Sequence, residues 1–284
     1  MSDPRVVSLN HRLRNLAEAE GIPAARVRNR YVFQRVLVRL ARDPRWVLKG
    51  GFGLELRLGL AARATKDLDL LRWEDETLSA AGLQELLDDA LDVPADDECT
   101  FVVRRPRQVR AEDEAPSTWR VVVGVLVAGQ TFGTVTIDVV TRAVEPAEGL
   151  DAVLVRPVLG GEEFRVRSVG LARHAAEKAH AYARLYAHDR PSSRVKDLVD
   201  LALLVERGLL VPVDFARAVA IVFAERDAAC PPADLPDPPG AWLGDYAAMA
   251  ELLGLGSRSS PAAAALVRDF YRTALTTLDD KDLP

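Results

Sequence analysis

β-Branched residues gather in three runs, Thr100 to Arg104, Arg120 to Val127 and Phe132 to Thr141, whereas from Val169 onward the chain turns to helical patterns. That change constrains the fold more than any other feature. Strand chemistry followed by helical periodicity predicts an α+β chain, a mixed sheet followed by a helical region, with the boundary near residue 165. Gly129-Gln130 between the last two runs predicts a hairpin. Ahead of the sheet, residues 23 to 42 read as an amphipathic helix with Pro23 at its start and Asp43-Pro44 closing it. Trp46-Val47-Leu48 reads as a short strand, Gly51 to Gly59 as a short helix, Thr65 to Leu71 as strand and 77 to 92 as helix. Helices are expected at about 170–187, 193–207, 212–226, 241–254 and 261–278, interrupted by the proline-rich stretch Pro231 to Pro239. No internal repeat is present.

Composition narrows the class. The 284 residues are 49% hydrophobic and 28% charged with a formal net charge of -5, an ordinary globular balance that excludes disordered, collagen-like and coiled-coil chains. Apolar runs such as Val121 to Gly129 are far shorter than the ~20 residues that span a bilayer. The start, Met1 to Arg5, lacks a signal core, and Cys99 and Cys230 stand far apart, so a cytoplasmic chain without membrane association is expected. Charge is unevenly spread: residues 1–49 hold 11 basic against 4 acidic side chains, and residues 50–100 hold 4 against 13. A basic arm could hold a polyanion backbone and an acidic segment a cation; a solvated arginine-rich surface is the simpler alternative. Of 37 basic residues only Lys49, Lys66, Lys178, Lys196 and Lys281 are lysine, and four of these fall in the segments below.

Asp67 and Asp69 are one residue apart in an apolar strand, so the period of two puts both carboxylates on one face. Such a pair suits Mg²⁺, which takes hard oxygens and completes its shell from substrate phosphate; a solvated strand edge is the alternative. Upstream, Gly50-Gly51 follows a strand and opens a helix, where bare backbone can approach a phosphate. It is not a Walker A loop, since no Gly-Lys-Ser/Thr follows. Asp138 shares a face with Thr134 and Thr136 and could be a third metal carboxylate or an acid bonded locally. In the helical half, Lys178 and Arg184 could offset triphosphate charge, while Lys196 and Asp200, four apart, could be a surface ion pair. His11, His174, His180 and His188 form no zinc-ligand spacing, and no nucleophile-elbow signature is present.

In order, Lys49-Gly50-Gly51, Thr65-Lys66-Asp67-Leu68-Asp69, Glu177-Lys178 and Arg194-Val195-Lys196-Asp197-Leu198-Val199-Asp200-Leu201 resemble the AbiEii/AbiGii toxin family of nucleotidyltransferases, which includes the mycobacterial MenT toxins. The resemblance spans about residues 46 to 205. It implies a polymerase-β-like nucleotidyltransferase core with N-terminal helices over residues 1–165 and a helical domain over 166–284. It also implies a toxin neutralised by a cognate antitoxin encoded beside it. Its activity would be transfer of a nucleotide from an NTP to RNA, typically a tRNA 3' end, with Mg²⁺ or Mn²⁺. By position, Asp67 and Asp69 would bind metal, with Asp138 as a less regular third carboxylate. Lys178 would bind triphosphate and Asp197 would be the last catalytic acid. Lys49, Gly50, Gly51, Thr65, Lys66, Arg184, Arg194 and Lys196 would surround the nucleotide. Thr65 precedes the first aspartate, where some members are silenced by phosphorylation. The arginines of residues 26–45 are expected to hold RNA backbone. Two rivals remain: a nucleotidyltransferase acting on a small molecule or protein, and a catalytically silent NTP- or antitoxin-binding protein.

Overall fold

The computed structural model describes residues 3–74, 78–95, 97–109, 118–142, 149–184 and 194–278. His188, Lys281 and the outer ends of the helices expected at 77–92, 170–187 and 193–207 lie outside the described residues. The chain divides into two compact units, residues 1–57 with 64–168, and residues 58–63 with 169–284.

The first unit opens with α1 (Pro4–Glu20), one of the N-terminal helices expected ahead of the core, whose bounds no single sequence signal gives. Asp3 caps it by accepting the Arg5 backbone N–H at 2.8 Å, Pro4 sits in its first turn, and Gly21 closes it in the left-handed region. Its apolar stripe, Val6, Leu9, Leu13 and Ala17, is buried. Next come α2 (Ala24–Leu40), β1 (Trp46–Lys49), α3 (Gly50–Leu58), β2 (Asp67–Trp73) and α4 (Ala80–Leu91). The remaining strands are β3 (Cys99–Val103), β4 (Arg107–Val109), β5 (Thr118–Val127), β6 (Gln130–Arg142), β7 (Leu150–Val155) and β8 (Phe164–Val169). They form one mixed eight-stranded sheet in the order β3-β5-β6-β2-β1-β8-β7, with β4 also on β5. β2 runs parallel to β6 and antiparallel to β1, while β5 and β6 are antiparallel.

Along β5 and β6, Val121, Val123, Val125, Val135, Ile137 and Val139 are fully buried, and they join one core cluster with Leu68 and Leu70 of β2 and residues of α1, α2 and α4. The opposite face of these strands carries the polar residues, as strand alternation requires. The hairpin turns on Ala128-Gly129, both at positive φ (51° and 73°), one residue earlier than the Gly-Gln pair suggested. Two such residues make the tight turn that matches strand twist. Leu126 opposes Thr131, yet Val125 opposes Gly133, so Phe132 is one residue extra. This bulge moves every later pair by one position. Phe132 is buried edge-on to Tyr31, and Arg28 lies over its ring and donates to its carbonyl oxygen.

The second unit is helical: α5 (Leu171–Ala183), α6 (Val195–Glu206), α7 (Pro212–Asp227), α8 (Leu243–Leu253) and α9 (Ser260–Leu275). Small and branched residues, among them Ala175, Ala179, Leu198, Leu201, Val219 and Val222, close its core together with the fully buried Tyr271. The proline-rich stretch between α7 and α8 is tied down: Tyr182 donates to Pro236 O at 2.6 Å, Tyr271 to Pro232 O at 2.8 Å, and Leu235 is buried. Observed helix bounds fall within about three residues of the described expectations, because prolines and glycines mark those ends in the sequence. No helix among the described residues is long and apolar enough to cross a membrane.

Candidate active site

The polar face of the first unit's sheet carries a row of four charges at one level of four adjacent strands. Antiparallel pairing sets Lys49 of β1 opposite Asp69 of β2. Parallel pairing sets Asp69 opposite Asp138 of β6, and Asp138 in turn opposes Arg120 of β5. Residues in register share a face, so the order across the sheet is cation, anion, anion, cation. Two residues back along β2, Asp67 lies on the same face, level with Thr136. All three aspartates are half-buried.

Asp69 is held at the amino end of α3. A Cβ on Gly50 would lie 1.9 Å from Asp69 Oδ2 and 2.6 Å from its Cγ, and Gly50 has φ +68°. Only glycine satisfies both conditions, so the strand–glycine–helix junction brings bare backbone against the carboxylate, where the helix dipole favours negative charge. Thr65 donates its hydroxyl to the backbone carbonyl of Asp67 at 3.2 Å, fixing the turn that leads into β2. Lys66 beside it is exposed.

Arg120, which no sequence motif singled out, grips Asp138 through two hydrogen bonds, Nε–Oδ1 at 2.8 Å and Nη2–Oδ2 at 2.7 Å. Its guanidinium is held in the charged form first by these bonds and then by the charge of Asp138, with smaller contributions from Asp67 and Asp69. Half of the Arg120 side chain is exposed. Asp138 therefore lies in the expected plane but has an arginine on its carboxylate. Among the described residues no three His, Cys, Asp or Glu side chains are arranged to hold a metal by themselves. Asp67 and Asp69 nevertheless fit the seat expected for Mg²⁺: two hard-oxygen donors on one strand face, with the missing Cβ of Gly50 letting the Asp69 carboxylate lie against the backbone.

The second unit gathers a separate charged cluster. The Lys178 Nζ lies 3.1 Å from Asp197 Oδ1 and 2.6 Å from Asp200 Oδ2, and Arg63 closes on Asp200 with Nε–Oδ1 and Nη2–Oδ2 both at 3.0 Å. Burial pushes the Lys178 ammonium down, but the charges of Asp200 and Asp197 more than reverse this and leave its pKa raised. Burial pushes Asp200 up, and Lys178 and Arg63 together bring it below the usual carboxylate range. Asp200 is fully buried, which corrects the expected surface pair with the exposed Lys196. Asp197 Oδ2 is buried with no hydrogen-bond partner among the described residues. Arg184 caps the end of α5 and Arg194 the start of α6.

Several arginines of residues 26–45, the segment expected to hold RNA backbone, face acids of this chain. Arg26 and Arg30 face Glu55, Arg39 binds Asp97 through two 2.8 Å bonds while itself almost fully buried, and Arg45 pairs with Asp43 and Glu74. The buried acids Glu55 and Asp97 thus take up part of the charge of this segment. An open cleft of about 520 Å³ borders Arg42, Arg45, Trp46 and Arg72, at the other end of β2 from the aspartates. Arg72 there is already bound to Asp43 and Glu74.

A mixed sheet bearing an Asp-x-Asp pair beside a strand–glycine–helix junction, with a helical unit in the same chain, is the arrangement of a nucleotidyltransferase. The family model described as "Nucleotidyl transferase AbiEii toxin, Type IV TA system" matches residues 31–273, and the chain belongs to that family. Comparison with curated proteins finds no match. Among solved structures, the chain is similar to an antigenic nucleotidyltransferase-like protein from Paracoccidioides brasiliensis, with 16% identity and a TM-score of 0.42, over 70% of this chain and 89% of that one. Membership of a toxin–antitoxin family implies an antitoxin partner.

Two predictions follow from this geometry. Gly50→Ala strains a left-handed backbone by about 1–3 kcal/mol and also displaces Asp69, whereas Gly21→Ala, at φ +66° with nothing within 4 Å, has the strain alone. Gly50→Ala should lose more stability in urea unfolding than Gly21→Ala, and only Gly50→Ala should lose nucleotide transfer. For the second unit, Asp200 contributes stability that is complete above its ordinary pKa of 3.8 and fades as pH falls through its lowered value. The Lys178 contribution is complete below 10.5 and fades as pH rises through its raised value. Asp200→Asn should therefore cost about 3–5 kcal/mol at pH 7, the scale of breaking a buried pair, and flatten the acid limb of the stability–pH curve.

Proposed function

We propose that this chain transfers a nucleotide from an NTP to an RNA hydroxyl, with the 3' end of tRNA as acceptor, and thereby inhibits translation and growth until its antitoxin intervenes. The observation that carries this reading is Asp67 and Asp69 on one strand face, with the Asp69 carboxylate seated against Gly50. Mg²⁺ or Mn²⁺ held by these two carboxylates would supply the positive charge that in-line displacement at the α-phosphorus needs.

The chain's own side chains do the rest. Lys49, in register with Asp69, places a cation beside the site for the phosphates. The amino end of α3, through Gly50 and Gly51, presents backbone N–H groups to an anion. Lys66, exposed next to Asp67, adds a second cation. In the second unit, Lys178, Arg184, Arg194 and Lys196 are the cations assigned to the triphosphate. There Lys178 would exchange part of its contact with Asp197 for phosphate, and Asp197 Oδ2, with no hydrogen-bond partner among the described residues, would accept a substrate hydroxyl. Phosphorylation of Thr65 would add up to two negative charges two residues from Asp67 and abolish nucleotide binding.

Incubation of the protein with total tRNA, Mg²⁺ and each α-labelled NTP in turn tests this reading. Label should appear on tRNA from one nucleotide, vanish with chelator, and fall at least about a hundredfold in Asp67→Ala, the scale set by removing one charge-stabilising group. Label on a protein or small molecule instead would contradict the RNA acceptor. No transfer with any nucleotide would leave the silent binding protein as the reading.

A further inference from the structure

We propose that Arg120 is a positioning residue that holds Asp138 away from the metal seat at rest and releases it when substrate phosphate arrives, so that Asp138 becomes a third carboxylate only in the loaded site. The inference rests on the reading of Asp67 and Asp69 as metal ligands.

Adjacent strands lie about 4.8 Å apart, so the register partners Asp69 and Asp138, with Asp67 on the same face, would place three negative charges together in the absence of a cation. Arg120 quenches that repulsion, since it binds both oxygens of Asp138 and leaves neither for a metal from that side. The arginine is not buried as a structural tie would be: half of its side chain is open to solvent, on the face where the phosphates would arrive. A guanidinium pairs with phosphate in the same two-pronged geometry that it uses for a carboxylate. An incoming polyphosphate is thus a direct competitor for Arg120. Its transfer would neutralise the phosphate and expose Asp138 in one movement, tying full metal coordination to the presence of nucleotide.

The register makes this arrangement specific. Without the extra residue Phe132, the hairpin would set Arg120 opposite Ile137, on the wrong face for Asp138.

Titration of the purified full chain with Mn²⁺ alone, followed by electron paramagnetic resonance, provides the test without any turnover. Wild type should bind weakly, and Asp69→Asn should bind less. Arg120→Ala should bind about tenfold more tightly, as expected when a nearby cation is removed and a third carboxylate gained. Arg120→Ala combined with Asp138→Asn should return to wild-type affinity, and Arg120→Lys, which keeps charge but loses the fork, should fall between. Arg120→Gln serves as a second neutral variant, and circular dichroism confirms that each is folded. If Arg120→Ala and Arg120→Gln bind Mn²⁺ no better than wild type, or if the double variant keeps the gain, the masking role is wrong while the metal seat stands. If Mn²⁺ binding is indifferent to Asp69→Asn, or absent from wild type and Arg120→Ala alike, the metal reading itself falls and this inference with it.

Discussion

Asp69 can occupy its place on β2 only because position 50 has no Cβ. An added methyl carbon would overlap the carboxylate oxygen, and no L side chain is comfortable at φ +68°. Much of the candidate site follows from this contact. At this contact α3 begins directly after β1, its amino end lies against the carboxylate, and the β1–β2 ladder sets Lys49 in register with Asp69. From Asp69 the sheet extends the same level outward to Asp138 and Arg120. The result is a charged strip whose opposite face is packed against α1, α2 and α4 with buried valines and leucines, so the polar residues have a rigid floor.

The second unit uses charge in a different way. Lys178 is bracketed by Asp197 and Asp200, and Arg63 supports Asp200 from the short 58–63 segment that belongs with the helices. Burying four ionisable groups together is tolerable because nearly every charge has a partner at hydrogen-bond distance. Asp197 Oδ2 is the exception, buried with no hydrogen-bond partner among the described residues.

Local signals in the sequence carried much of this structure. The Asp-x-Asp spacing fixed the shared face, the glycine pair marked the strand-to-helix junction, and prolines and glycines announced most helix ends in the second unit. Long-range partners were hidden. Arg120 meets Asp138 only because of the Phe132 bulge, and a bulge depends on how Phe132 packs against Tyr31 and Arg28, about a hundred residues upstream. Arg63 and Asp200 are 137 positions apart. The partners of the α2 arginines were hidden in the same way, because a sequence shows charge but not the buried acids, Glu55 and Asp97, that face Arg26, Arg30, Arg35 and Arg39. The bounds of α1 are faint in the sequence because its apolar stripe is diluted by arginines and its cap is a single aspartate.

The account depends most on Asp67 and Asp69 as one metal and nucleotide seat against Gly50. A crystal structure of the protein soaked with Mn²⁺ and a non-hydrolysable NTP tests it most directly, read through the anomalous signal of the metal. The account predicts a peak in direct coordination with both carboxylates, with the triphosphate running toward the amino end of α3. Nucleotide bound with no metal at this pair, or metal bound elsewhere with the pair left bare, would contradict it.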